Sequence, residues 1–163
     1  MRSAQEKDPP ALAPEAAEVL QAATRVLAGV ALRSLEALDH AVSLPQFRLL
    51  AVLADLGPVP SGQTARTLGL DPSTVTRLAD RMVVAGHVAR GTEPQHRGVV
   101  TLELTASGRD LVAAADAWRR RELARILARL APAEREAVTT ALGLLVGAAG
   151  DDYGITASRP VPL

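Results

Sequence analysis

Gly62-Gln63-Thr64-Ala65-Arg66-Thr67-Leu68-Gly69-Leu70-Asp71-Pro72-Ser73-Thr74-Val75-Thr76-Arg77-Leu78-Ala79-Asp80-Arg81-Met82-Val83-Val84-Ala85-Gly86 decides how the rest of the chain is read. Gly69 stands where a short helix, 62–68, needs a residue tolerant of a left-handed C-terminal turn. Asp71 is placed as an N-cap, and Pro72 occupies the first position of a second, longer helix. Gly86 closes that helix. Two helices joined by a three- or four-residue turn are the spacing of a helix-turn-helix. In the second helix Val75, Leu78, Ala79 and Met82 recur at i, i+3, i+4 and i+7, an anchoring stripe. Ser73, Thr76, Arg77 and Asp80 repeat on the opposite side and are free to enter a groove.

Downstream of Gly86 two short apolar stretches, 87–90 and 99–104, flank the polar, turn-rich segment 91–98 and predict a β-hairpin. Thr105 caps a long helix expected to reach about Leu130. Its inner face carries Leu111, Ala115, Trp118, Leu123, Ile126, Leu127 and Leu130. Pro132 opens a last helix with Val138, Leu142, Leu145 and Ala149 turned inward and Gly150 at its end. Upstream, Ser43 and Gln46 are spaced as a capping box for a helix that runs to about Asp55 and stops before Gly57-Pro58. Phe47, Leu50, Leu53 and Ala54 form its buried face. Pro14 opens a long helix whose apolar stripe runs from Val19 through Leu38. That stripe is wide for a lone surface helix and suggests a partner as well as a core. The expected fold is mainly α with a small β-hairpin: a winged helix-turn-helix flanked by N- and C-terminal helices. Residues 1–13 and 151–163 are polar or Pro- and Gly-interrupted and read as loose tails.

The composition agrees. Hydrophobic residues make up 48% and aromatic residues 2% of the 163 residues, so Leu, Val and Ala must fill the core, a mixture that favours helices. Net charge is zero, which argues against a basic, non-specific nucleic-acid coat but not against a local basic surface. From 61 to 100, Arg66, Arg77, Arg81, Arg90 and Arg97 outnumber Asp71, Asp80 and Glu93; from 11 to 45, Arg25 and Arg33 are outnumbered by Glu15, Glu18, Glu36 and Asp39. Positive charge therefore gathers on the segment holding the groove-facing helix. The absence of Cys excludes disulfides, thiol sensing and thiolate metal sites. No signal peptide is visible, and the longest apolar run, 141–150, is too short to span a bilayer, so a cytoplasmic location is expected.

The free face carries chemistry suited to DNA. Ser73, Thr74 and Thr76 are short hydrogen-bonding residues near a helix N-terminus, which itself attracts phosphate. Arg77 can fork onto guanine O6 and N7. Arg81, a turn further on, is expected at phosphate. Asp80 does not belong against DNA and is expected to pair with Arg77 or another Arg. At the hairpin tip, Gln95, His96 and Arg97 are candidate contacts, Arg97 for a narrow minor groove.

From about Leu44 to Gly150 the chain resembles the MarR family of bacterial transcriptional regulators. The resemblance is carried by Leu44-Pro45-Gln46-Phe47-Arg48-Leu49-Leu50, Leu70 to Leu78, Asp80-Arg81, Ala85-Gly86 and Leu104-Thr105 with Gly108. It implies a homodimer whose dimerisation helices are 14–42 and 106–150, with the winged helix-turn-helix, 43–105, between them. It further implies a pseudo-palindromic double-stranded operator and a repressor released by a small phenolic or anionic ligand bound between the two regions. His40, Phe47 and Arg48 are the candidate lining of that pocket. The wing departs from the family pattern: His96 replaces an acid and Gly98 replaces a second Arg, so the role of the wing is open.

Other readings weigh less. A winged helix that docks a protein without binding DNA is the alternative, but the acid-free first turn of the reading helix speaks against it. Arg119-Arg120-Arg121-Glu122 reads as a solvated face pairing with nearby acids. His40, His87 and His96 match no metal spacing. No nucleophile–base pair, phosphate-cradling Gly loop or carboxylate pair is present, so no enzyme, metal or cofactor is expected.

Overall fold

The computed structural model describes residues 13–38, 41–93 and 96–150, with only the backbone of 93, 96 and 97. The elements run α1 (Pro14–Glu36), α2 (Leu44–Leu56), β1 (Val59–Pro60), α3 (Ser61–Leu68), α4 (Pro72–Val84), β2 (Val88–Glu93), β3 (His96–Leu104), α5 (Ala106–Leu127) and α6 (Pro132–Ala149). His40, Gln95, residues 1–12 of the first tail and the whole of 151–163 lie outside the described residues.

Local chemistry sets the boundaries. Gln46 Oε1 accepts from the Ser43 backbone N–H at 2.7 Å, satisfying a donor that helix α2 leaves open. Gly69 adopts φ 63, the left-handed C-terminal geometry expected after α3. Thr105 does three things at the wing–α5 junction. Its Oγ1 donates to the Gly86 carbonyl at 2.7 Å, accepts from the Gly108 N–H at 3.1 Å, and its own N–H reaches the His87 carbonyl at 3.1 Å.

The strands form an antiparallel sheet in the order β1-β3-β2. Two features differ from the sequence expectation. β1 is a third strand, Val59 opposite Leu102 and Pro60 opposite Thr101; two residues are too few to show alternation. The hairpin strands are also longer than expected. Gly91 to Glu93 and His96 to Gly98, read as turn, fall within the strands; Gly91, Thr92 and Glu93 pair with Thr101, Val100 and His96, with an irregularity between Thr92 and Glu93. Main-chain pairing holds Gly91, Thr92, Glu93 and His96, and their polar composition conceals it.

One core joins the winged lobe to α1 and α5. Phe47, Leu49, Leu50 and Leu53 of α2 meet Val75, Leu78, Ala79 and Met82 of α4, Val88 and Leu102 of the sheet, and Val112 and Ala115 of α5. The inner face expected for α5 is only partly realised: Leu111, Trp118, Leu123, Ile126, Leu127 and Leu130 are half-buried. The inward face expected for α6 is not realised within one chain. No residue of α6 is buried, and Leu144 and Leu145 are 71% and 50% exposed.

Candidate nucleic-acid interface

Helix α4 is divided lengthwise. Val75, Leu78, Ala79 and Met82 are buried while Ser73, Thr76, Arg77, Asp80 and Arg81 are exposed. The buried stripe fixes the helix on α2 and α3, so its polar face is presented by a rigid support. Thr74 is half-buried at the first turn. The Thr76 hydroxyl donates to the Pro72 carbonyl at 2.9 Å, which leaves its oxygen free only to accept. Arg77 makes no side-chain hydrogen bond or ion pair among the described residues. Asp80 does pair with an Arg, but the partner is Arg90 of β2, at 2.7 Å, not Arg77. Next to the first turn of α4 lies an open cleft of about 520 Å³ lined by Gly62, Arg66, Gly69, Asp71 and Thr74.

The backbone of His96 and Arg97 runs in β3, with His96 paired to Glu93 of β2. The wing is therefore a two-stranded ribbon rising from the base where α4 ends.

The candidate pocket residues separate. Phe47 is fully buried. Arg48 points the other way, its guanidinium 3.4 Å from the Leu68 carbonyl at the end of α3. Arg119, read from sequence as part of a solvated Arg run, is instead turned inward. Its Nε donates to the fully buried Ser34 Oγ at 2.9 Å, and Nη1 reaches Asp116 at 3.2 Å. Its guanidinium also lies 4.9 Å from the Phe47 ring centroid, within cation–π range. Nη2 is buried without a hydrogen-bond partner among the described residues. Burial lowers the Arg119 pKa and Asp116 partly opposes that shift. Arg120 and Arg121 are exposed, and Glu122 pairs with Arg125, which lowers its carboxyl pKa. Arg119 lies four residues after Ala115 and seven after Val112, both buried; that spacing was the available signal for its inward face.

A family model described as MarR family matches residues 42–97. The mycobacterial HTH-type transcriptional repressor Rv2887, from Mycobacterium tuberculosis, is 34% identical over 96 residues, 58% of this chain and 69% of the repressor. The chain belongs to the MarR family. RV1404 from Mycobacterium tuberculosis shares its fold at a TM-score of 0.76 and 36% identity, over 82% of this chain and 91% of that one. The HTH-type transcriptional regulator YcgE of Bacillus subtilis is 42% identical over 57 residues, 34% of this chain. The matches span 37% of YcgE and 65% of a second Bacillus subtilis regulator, YfiV. This member of the MarR family has the winged helix-turn-helix between flanking helices that its sequence predicts. Among the described residues no helix is long and apolar enough to cross a membrane.

Proposed function

We propose that the chain is a homodimeric regulator that binds a pseudo-palindromic double-stranded operator and represses transcription until a small anionic or phenolic ligand releases it. The observation that carries the DNA reading is α4. Its buried stripe anchors it, and its exposed face offers in one row Ser73, Thr76 and an Arg77 unpaired among the described residues. Ser73, Thr74, Thr76 and Arg77 read bases, Arg81 meets phosphate, and Gln95, His96 and Arg97 of the wing region meet the flanking groove. Two such helices related by a two-fold axis would read half-sites about 10 bp apart.

Dimerisation is supported by apolar surface that one chain leaves uncovered: Val19, Leu20 and Val26 on α1, and Val138, Leu142, Leu144, Leu145 and Val146 on α6. Repression is supported by the name that Rv2887 carries. The ligand reading is supported by Arg119, whose Nη2 lacks a partner among the described residues where α1, α2 and α5 meet beside Phe47. A carboxylate or phenolate oxygen would accept from such a donor. Phe47, whose ring Arg119 faces, is a lining candidate along with His40; Arg48, turned to the Leu68 carbonyl, would not share that lining.

The test is selection of duplexes from a randomised pool by the full chain, followed by gel shifts of an enriched duplex at two salt concentrations. An enriched, inverted-repeat sequence whose binding falls steeply with salt is expected. Arg77→Ala is expected to cost about 1–3 kcal/mol on that duplex and much less on a shuffled one. Equal loss on both would confine Arg77 to phosphate. A folded dimer that shifts no DNA at low salt would return the chain to a protein-docking role.

A further inference from the structure

The ion pair between Asp80 and Arg90 joins the exposed face of α4 to the wing. Asp80 lies three residues after Arg77 on the same exposed face, and Arg90 lies on β2, paired with Leu102 of the central strand β3. On the buried side α4 and β2 are already held by Met82 and Val88 in the core, and by the His87 N–H on the Met82 carbonyl at 2.9 Å. A helix and a ribbon fixed along one edge can still rock about it. The 2.7 Å pair supplies a second point of attachment, on the outer edge.

We infer that Asp80 and Arg90 are positioning residues that set the angle between the reading helix and the wing, so that both meet one DNA duplex in register. The inference rests on the DNA reading proposed above. Both side chains are about half exposed, 54% for Asp80 and 41% for Arg90. Pairs that exposed add little to folding stability. Their effect belongs to discrimination between sequences, where a small misplacement of Arg77 removes a forked contact that has strict geometry. The chemistry favours this over a role for Asp80 alone. An unpaired carboxylate beside Arg77 would repel phosphate from the face meant to meet it. Paired, it is neutralised and occupies the guanidinium of Arg90, which is thereby withheld from non-specific phosphate contact.

The experiment is a double-mutant cycle on the full chain: Asp80→Asn, Arg90→Gln and the two together. Each is titrated against a duplex enriched from a randomised pool by the wild-type chain and against its shuffled counterpart. The readout is the ratio of the two affinities, with thermal melting as the control for folding. Asp80→Asn is expected to bind the shuffled duplex as well as wild type or better, and the enriched duplex less well, so that the ratio falls about fivefold or more. The double variant is expected to lose no more of the ratio than either single one, as coupled residues do. Two results overturn the inference: losses that multiply in the double variant, or an Asp80→Asn chain that tightens on both duplexes by the same factor. The second would reduce Asp80 to a source of repulsion. A pool that yields no enriched duplex overturns the DNA reading, and the pair's role with it; an enriched duplex with multiplying losses overturns the pair alone.

Discussion

Arg119 and Arg120 are neighbours in sequence with opposite surroundings. Arg120 is exposed, whereas Arg119 bonds Ser34 and Asp116 and faces the Phe47 ring. Deleting Arg119 leaves the fully buried Ser34 hydroxyl with only its bond to Ala31 and strips the cation from an aromatic face. Lost side-chain hydrogen bonds to a charged group contribute about 1.5–3 kcal/mol. Arg119→Ala is therefore expected to destabilise the chain by about 2 kcal/mol, and Arg120→Ala by less than about 0.5 kcal/mol. Urea denaturation of the two variants checks the difference; equal midpoints would make Arg119 as superficial as the Arg run suggests. The sequence conceals this residue because three consecutive Arg dominate the local reading. Arg77 was legible for the converse reason: its position is fixed by the buried residues on either side of it, Val75 and Leu78.

At the scale of elements, what was legible followed from periodicity and from caps. The boundaries of α3 and α4 come from Gly69 and Pro72, each acting through its own backbone requirement, while Asp71 stands at the N-cap position of α4 with no side-chain cap bond among the described residues. What was not legible depended on pairing between distant segments. β1 exists because Val59 and Pro60 meet Leu102 and Thr101, and no property of Val59-Pro60 alone announces it. The wing–α5 junction is another such meeting. A Cβ on Gly108 would stand 2.1 Å from the His87 carbonyl oxygen, so the first turn of α5 approaches the start of the wing only because no side chain is there. Gly108→Ala must push the two apart, at a cost of about 1–3 kcal/mol. For a chain of this size each kcal/mol lowers the melting temperature by about 2–4 °C. Calorimetry showing an unchanged melting temperature would mean that the junction has room to relax. Gly98 serves as the control: a Cβ there meets nothing within 4 Å.

At the scale of the whole molecule, the apolar stripes on α1 and α6 are the part of the pattern that a single chain cannot explain. Val138, Leu142 and Leu145 recur at helical spacing, yet they are 38%, 38% and 50% exposed. Arg135 ties the start of α6 to the Leu127 and Leu130 carbonyls at the end of α5, so α6 is attached at one end and uncovered along its length. A second copy of the chain covering these residues would bury apolar surface at about 25 cal/mol per Å², and isologous pairing is the commonest way for a chain to cover itself. Leu142→Asp with Leu145→Asp places two charges on that stripe without touching the winged lobe. The expected outcome is a folded chain whose mass by light scattering falls from two protomers to one. Its affinity for an inverted-repeat duplex should fall toward that for a single half-site, because the second reading helix is no longer delivered at high effective concentration. A variant that stays dimeric would place the dimer contact away from this stripe, whereas a monomer that binds the full duplex as tightly as wild type would place the whole of DNA recognition in α4 and the wing.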